Sequence, residues 1–300
     1  MGLPLVWLRV SSAGSRRAAR RRGGPAGSSP AGVAGVWTVA AVAWMGLTTC
    51  GALTTCSAAD ESSVQPRHQT DAGAPVQAAR VLILTGEDYE GHKWRETTPV
   101  LRRQLETDRR LRVDVIDELG KAADAPLADY RAVVLHFKNY DPNVPSDEAR
   151  RRLERYVRGG GGLVLVHFAC GAFQEWPGFV ELAGRVWNPK LRGHDPYGVF
   201  RVEIAAPDHP IMRGLKPFDI RDELYTCLDG DVPITVLATA RSKIDGKDYP
   251  MAFVLKVGEG RAFHCVLGHD TEALGNAGAG ALMRRGTAWA AGLEPGAPEP

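Results

Sequence analysis

The chain has 300 residues, of which 44% are hydrophobic and 24% charged, and these values exclude a mainly disordered or fibrous protein. Its formal net charge is +2, from 37 Lys and Arg against 35 Asp and Glu. Six of the arginines lie in residues 1–58, which contain no acidic residue. Residues 59–300 therefore contain 31 basic and 35 acidic side chains. Because that remainder has no basic excess to neutralise phosphates, we expect no nucleic-acid partner.

Residues 1–58 have the composition of a secretory signal. A basic cluster at 16–22 precedes an uncharged apolar run at 32–47, and small residues follow at 56–59. This order is typical of a signal peptide. We therefore predict an exported protein, periplasmic or extracellular, whose contact with a membrane is confined to this segment.

Three features of the segment leave its type open. The pair Arg16-Arg17 is similar to the start of a twin-arginine signal. The apolar run extends to about 22 residues, long enough for a retained membrane anchor. Cys50 and Cys56 each follow a Leu-Thr-Thr sequence, which is similar to a lipid-attachment site.

A polar segment at 59–79 is predicted to be a linker, and 294–300 a tail. One folded domain is therefore expected over 80–293. It holds Cys170, Cys227 and Cys265, which in an oxidising compartment could form one disulfide and leave one free thiol. Because no CxxC pair is present, we expect neither a zinc finger nor a thioredoxin-like redox site.

Apolar runs typical of buried strands alternate with helical patterns in the first half of this domain. The predicted strands cover residues 80–86, 111–117, 132–137 and 162–168. The predicted helices begin at Thr98-Pro99 and Ser146, and a third covers 175–184.

The second half is rich in strands, predicted over 199–205, 234–240, 252–257 and 261–267, with a closing helix over 279–291. A turn at 258–260 would join the last two strands. The order predicts an α/β fold with a mainly parallel sheet and an antiparallel extension. Its site should lie at the carboxyl ends of the parallel strands.

Four histidines lie where such a sheet places a ligand. His92 and His167 follow predicted parallel strands, and His194 and His269 lie on loops. Histidine titrates near neutral pH, which suits proton transfer.

Glu223 and Tyr225 add a carboxylate and a phenol that can serve as base, hydrogen-bond donor or ligand. Histidine and carboxylate together suit a divalent metal, although no HExxH motif is present. His136 and His264 lie within predicted strands and are interpreted as hydrogen-bonded core residues.

Cys170 follows a predicted strand, where a nucleophile elbow would lie. That elbow needs glycine at positions where this chain has Phe168 and Ala172. A cysteine nucleophile is therefore the least favoured hypothesis.

Five motifs occur in order along the domain. They are Gly162-Leu-Val-Leu-Val-His167, Asp208-His209-Pro210-Ile211 with Gly214-Leu215, Asp222-Glu223-Leu224-Tyr225, Gly268-His269-Asp270-Thr271 and Trp289-Ala290-Ala291-Gly292. With these motifs the chain resembles the trehalose-utilisation (ThuA-like) family over about residues 80–293.

The resemblance implies a flavodoxin-like three-layer fold of the class I glutamine amidotransferase type. It also implies a role in the metabolism of trehalose and related disaccharides through keto-sugars, with a partner dehydrogenase. It points to His167, His209, Glu223, Tyr225, His269 and Asp270.

The first functional hypothesis is an enzyme acting on a disaccharide or keto-sugar. Its predicted catalytic residues are His167 and His269 for proton transfer, Glu223 as base and Tyr225 as donor. The predicted substrate-binding residues are His92, Trp94, His194, His209 and Asp270. If a divalent metal is the cofactor, its candidate ligands are His167, His209, Glu223 and His269.

Two alternatives belong to other functional classes. A sugar-binding or accessory module would use the same cleft without chemistry, with Trp94, Trp176 and Trp187 stacking on sugar rings. An amidotransferase-type hydrolase would use Cys170 as its nucleophile.

Overall fold

The computed structural model describes residues 78–141, 144–173 and 175–296. The predicted signal peptide and almost all of the predicted linker lie outside these residues. Within the described ranges, no helix combines the length and the apolar character required to cross a bilayer.

Strands of the described chain form one mixed sheet. They are β1 (Ala79–Thr85), β2 (Leu111–Ile116), β3 (Ala132–His136), β4 (Gly162–Val166), β5 (Gly198–Ile204), β6 (Phe218–Asp222), β7 (Thr235–Arg241), β8 (Asp248–Val257) and β9 (Gly260–Cys265). The spatial order is β2-β1-β3-β4-β9-β8-β7-β5-β6. The first five strands in this order pair in parallel, and the rest pair antiparallel, which confirms the predicted fold class.

Helices cover the parallel part of the sheet. They are α1 (Trp94–Glu106), α2 (Asp147–Arg158), α3 (Phe179–Ala183), α4 (Thr271–Gly275) and α5 (Ala277–Ala290), with 3₁₀ turns at Leu119–Asp124, Leu127–Asp129 and His167–Gly171.

Alternate side chains of the parallel strands pack into two separate cores. Ile83 of β1 belongs to one cluster with Leu101 of α1 and Leu282 of α5. Its neighbour Leu82 belongs to the other cluster, with Leu153 of α2. Because successive strand residues point to opposite faces, a continuous apolar run is what a sheet covered on both faces requires. The result is a three-layer arrangement.

Two predicted features are confirmed in detail. Ser146 caps α2, its side chain accepting a hydrogen bond from the backbone N–H of Ala149 at 3.4 Å. The turn between β8 and β9 contains Gly258 at φ +58°, a left-handed conformation that favours glycine.

The predicted start of the first helix is wrong. Helix α1 begins at Trp94, where the backbone N–H groups of Glu96 and Thr97 already donate to the carbonyl of Lys93. Pro99 lies inside the helix on its exposed side. There water can replace the hydrogen bond that the proline nitrogen cannot donate.

Other predicted elements differ in extent. The third helix is limited to Phe179–Ala183 because Pro177 and Gly178 precede it. Strand β6 and helix α4 were not predicted, since both are five residues long and too short for a periodic pattern. Cys170, Cys227 and Cys265 are all free thiols, so they form no disulfide.

His264 should make the folded domain sensitive to acid. It is completely buried, its Nδ1 lies 2.9 Å from the carbonyl oxygen of Ala183, and burial lowers its pKa to about 4. Unfolded histidine titrates at about 6.5. Above pH 6.5 this histidine is neutral in both the folded and the unfolded state, so it does not change the free energy of unfolding. Below pH 6.5 the unfolded state binds a proton that the folded state does not bind, which favours unfolding. Stability is lost as the pH falls toward 4, by up to about 1.4 kcal/mol per pH unit.

We expect the free energy of unfolding of His264→Gln to depend less steeply on pH than that of the wild-type protein, because the variant lacks this titrating group. Urea unfolding of both proteins between pH 7.5 and 4.5 measures it. Equal slopes in the two proteins would show that His264 does not contribute.

Candidate functional site

Four side chains converge where several strands end. His92 lies in the loop after β1, His167 directly follows β4, Glu223 directly follows β6, and His269 lies in the loop after β9. One nitrogen or carboxylate oxygen from each lies within 4.8 Å of all the others. We call these four residues the His₃Glu cluster.

Glu223 reaches the cluster because the antiparallel strands bring the end of β6 back to the end of β9. The contact is made by Asp222, a buried residue whose carboxylate accepts three backbone hydrogen bonds. Its Oδ2 accepts from Gly268 at 2.7 Å, and its Oδ1 accepts from Glu223 at 2.8 Å and His269 at 3.1 Å. Asp222 therefore fixes the two segments that carry Glu223 and His269.

The backbone at His167 has an unusual conformation. Its φ is +49°, which residues other than glycine rarely adopt and which costs about 1–3 kcal/mol at functional sites. Its Nδ1 lies 2.9 Å from the carbonyl oxygen of Val266. Since a carbonyl only accepts, Nδ1 carries the proton and donates it. The other ring nitrogen, Nε2, is left as a lone-pair donor that faces the cluster.

The carboxylate of Glu223 lies close to three histidine side chains. Oε2 of Glu223 lies 3.5 Å from Nε2 of His167 and 3.2 Å from Nδ1 of His269. Its other oxygen lies 3.7 Å from Nε2 of His194. The Glu223 side chain is 14% exposed and that of His167 is fully buried.

Three histidine nitrogens of the cluster are buried without a hydrogen-bond partner among the described residues: His92 Nε2, His167 Nε2 and His269 Nδ1. An unpaired buried polar atom costs about 1–3 kcal/mol, and three facing the same carboxylate call for a common partner. Imidazole nitrogens with one carboxylate oxygen are a ligand set that zinc and related divalent ions accept. The cluster therefore fits a divalent metal.

The electrostatics favour the same conclusion. Burial opposes ionisation of Glu223, but the close approach of the His167 and His269 rings to its carboxylate outweighs that effect and holds the pKa of Glu223 well below its usual range. Burial lowers the pKa of His92 to about 2, so this ring is neutral at physiological pH and able to donate a lone pair. The nearby carboxylate of Glu223 raises the pKa of His269.

The His₃Glu cluster opens into a pocket of about 180 Å³. The pocket is lined by Tyr89, Gly91, His92, Lys138, Tyr140, Phe168, Cys170, Trp187, His194, Glu223, Tyr225 and His269. The rings of Tyr89 and Tyr140 stack at 4.4 Å and are 48% and 37% exposed, so they form part of its rim. Trp187 also lines a second cavity of about 540 Å³, together with Phe173, Trp176, Asp229 and Asp231.

Most of the predicted site residues meet in this pocket. Those are His92, His167, His194, Glu223, Tyr225 and His269. His92 was predicted to bind substrate and is here part of the potential ligand set. Sequence reasoning gave no role to Lys138, Tyr89, Tyr140 or Asp222, although Asp222 lies inside one of the quoted motifs.

Three predicted residues lie apart from the pocket lining. Trp94 is buried, and its indole N–H donates to Asp88 at 2.9 Å. His209, a predicted binding residue and metal candidate, lies in a turn beside Trp289, with ring centroids 5.7 Å apart. Neither side chain lines the pocket of the His₃Glu cluster, although Trp94 lines a neighbouring cavity of about 380 Å³ together with Tyr89 and His92.

Asp270 also has a structural task. It caps α4 by accepting from the backbone N–H of Ala273 at 2.9 Å, and it accepts from the hydroxyl of Tyr197 at 2.7 Å. Its carboxylate is not part of the pocket lining.

Cys170 lines the pocket but lacks the properties of a nucleophile. It is buried, and burial raises the pKa of its thiol to about 12. Such a thiol is protonated at neutral pH, whereas nucleophilic attack requires the thiolate.

We predict that Asp222→Asn weakens the fold and the site together. An amide has one acceptor oxygen where the carboxylate uses two, so at least one buried N–H loses its partner, at about 1–3 kcal/mol. Urea unfolding measures the stability. Asp219→Asn on the same strand is the control, because that side chain is exposed and forms only a surface ion pair with Arg201. Equal stabilities of the two variants would contradict the role of Asp222.

A family model and two similar solved structures identify the same family. Residues 80–290 match the family described as Trehalose utilisation, ThuA. A ThuA-like protein from Parabacteroides merdae is 27% identical, with a TM-score of 0.65, over 74% of this chain and 93% of that one. A ThuA-like protein from Bacteroides uniformis is 19% identical, with a TM-score of 0.59, over 73% and 93%. No curated protein matches.

Proposed function

This chain belongs to the trehalose-utilisation (ThuA) family, and from its site we propose a metal-dependent enzyme that acts on a disaccharide or keto-sugar. The observation that carries the proposal is the group of three unpaired, buried histidine nitrogens around Glu223. Acid–base chemistry alone would not need three imidazole nitrogens directed at one carboxylate, whereas a divalent cation would use the lone pairs of all three.

The proposed roles of the residues follow from their contacts. His92, His167, His269 and Glu223 would hold the ion, which as a Lewis acid polarises a sugar carbonyl or hydroxyl oxygen. His167, His269 and Glu223 were predicted either as acid–base residues or as metal ligands, and of these two roles we propose that of ligands, with His92 in place of His209.

Other pocket residues would orient the sugar. Burial raises the pKa of Tyr225 well above its usual range, so its hydroxyl stays protonated and able to donate a hydrogen bond. His194 has Nδ1 2.8 Å from the carbonyl oxygen of Asp195, which leaves Nε2 to accept from a substrate hydroxyl.

The aromatic lining supports a sugar as the substrate. Tyr89, Tyr140 and Trp187 offer ring faces for the apolar face of a sugar, next to the polar groups of the cluster. A partner dehydrogenase would supply the keto-sugar. The basic and apolar N-terminal pattern supports export of the protein as a further proposal.

A sugar-binding module without catalysis is the second candidate. The exposed, stacked rings of Tyr89 and Tyr140 at the rim favour it, because they would hold a sugar whether or not a reaction follows.

We predict that turnover of a 3-keto-disaccharide requires metal and the intact cluster. Protein stripped with a chelator should be inactive and should regain activity with Mn²⁺, Co²⁺ or Zn²⁺. Glu223→Gln and His269→Ala should each reduce the rate at least about 100-fold. Release of product, followed by NMR, measures the rate.

His209→Ala is the matched control, since this half-buried histidine lies outside the pocket, and it should keep full activity. Full turnover in the chelated protein would contradict the proposal. Saturable sugar binding with no product from any substrate would support the binding module instead.

A further inference from the structure

Lys138 is a pocket residue that the proposed function leaves without a task. It lies two residues after β3 and lines the same pocket as His92, Glu223 and His269. Its aliphatic stem runs against Gly171, where a Cβ atom would come within 3.1 Å of the lysine Cγ and Cδ. The absence of a side chain at Gly171 therefore leaves the space in which the stem lies.

The ammonium group of Lys138 lies between two aromatic rings. Nζ is 5.1 Å from the centre of the Trp187 ring and 5.2 Å from that of Tyr140. Among the described residues it forms no ion pair with a carboxylate. Half-burial lowers the pKa of Lys138, whereas the faces of the two rings attract its charged form, so both the amine and the ammonium are accommodated in this position.

Most other titratable groups of the pocket are metal ligands, hold their protons or have another task once the cluster holds an ion. They are His92, His269 and Glu223 as ligands, together with Cys170, Tyr89, Tyr140, Tyr225 and His194. Burial raises the pKa values of Cys170, Tyr140 and Tyr225, so these groups hold their protons. His194 has its Nδ1 engaged with a backbone carbonyl and Nε2 3.7 Å from Glu223.

We propose that Lys138 is the general base and acid of this site, and that the substrate is a ketone with a C–H bond beside its carbonyl. The inference rests on the proposed function and assigns its reaction class. The neutral Nζ takes the proton of that C–H bond. The bonding electron pair forms the carbon–carbon double bond of an enolate, and the carbonyl π electrons move onto oxygen. The resulting ammonium can return the proton to the same carbon as the enolate collapses back to the ketone. Alternatively, the enolate electrons re-form the carbonyl and the carbon–carbon double bond shifts to the next carbon, whose C–O bond breaks, and the ammonium protonates the departing oxygen; neither course involves net oxidation.

Hydrogen exchange tests this step directly. Metal-loaded protein is incubated in D₂O with a methyl 3-keto-glucoside, and NMR follows loss of the proton beside the carbonyl. We expect exchange to fall at least about 100-fold in Lys138→Met and Lys138→Arg, while metal content stays unchanged. Lys190→Met is the control, because that lysine is exposed and outside the pocket, and it should exchange at the wild-type rate.

Chemical rescue separates a proton carrier from a merely structural residue. Small primary amines should restore exchange to Lys138→Ala, at rates that depend on the pKa of the amine. A direct titration of Lys138 by ¹³C NMR of labelled lysine, assigned with Lys138→Arg, should give a pKa below that of free lysine.

The outcomes distinguish the two claims. Exchange by the wild-type protein that persists in Lys138→Met, or a titration at the ordinary lysine pKa, overturns the role of Lys138 alone. No exchange by the metal-loaded wild-type protein overturns both this role and the proposed reaction on keto-sugars.

Discussion

The site depends on one constraint: Glu223 is an ionised carboxylate in a largely buried pocket, and the three imidazole nitrogens that face it have no hydrogen-bond partner in the described part of the chain. Burial of Glu223 raises the energy of its charge, and only a positive partner offsets that cost. His269 supplies one as long as it is protonated, whereas His92 is too buried to do so. A divalent cation would satisfy the carboxylate and all three nitrogens at once, which is why the arrangement favours a metal over a proton relay.

The fold meets this constraint by combining two kinds of strand. The parallel strands β1, β4 and β9 deliver the three histidines at their carboxyl ends, as expected for a doubly wound sheet. The carboxylate comes from the antiparallel extension, after β6. Asp222 joins the two parts through backbone hydrogen bonds to Gly268 and His269. The pairing of β8 with β9 joins the extension to the parallel core, and this one buried side chain adds a second link at the site itself.

Sequence reasoning succeeded where a pattern reflects burial. The continuous apolar runs of β3 and β4 identified buried parallel strands, and position after such a strand identified His167. The predictions failed where the role of a residue depends on the direction in which its side chain points. His209 belongs to a family motif, yet its ring packs against Trp289. In the sequence, Lys138 looks like any other lysine that follows a strand. Only its tertiary contacts with Trp187 and Tyr140 set it apart from the other lysines.

Metal occupancy of the cluster is the most direct test of this account. Crystals of the protein grown with Zn²⁺ and measured at the zinc absorption edge would locate the ion by anomalous scattering. The account predicts one strong peak at about 2.0–2.2 Å from nitrogens of His92, His167 and His269 and from an oxygen of Glu223. Absence of a peak there in protein never exposed to a chelator, or a peak held by other residues, would contradict the proposed metal centre.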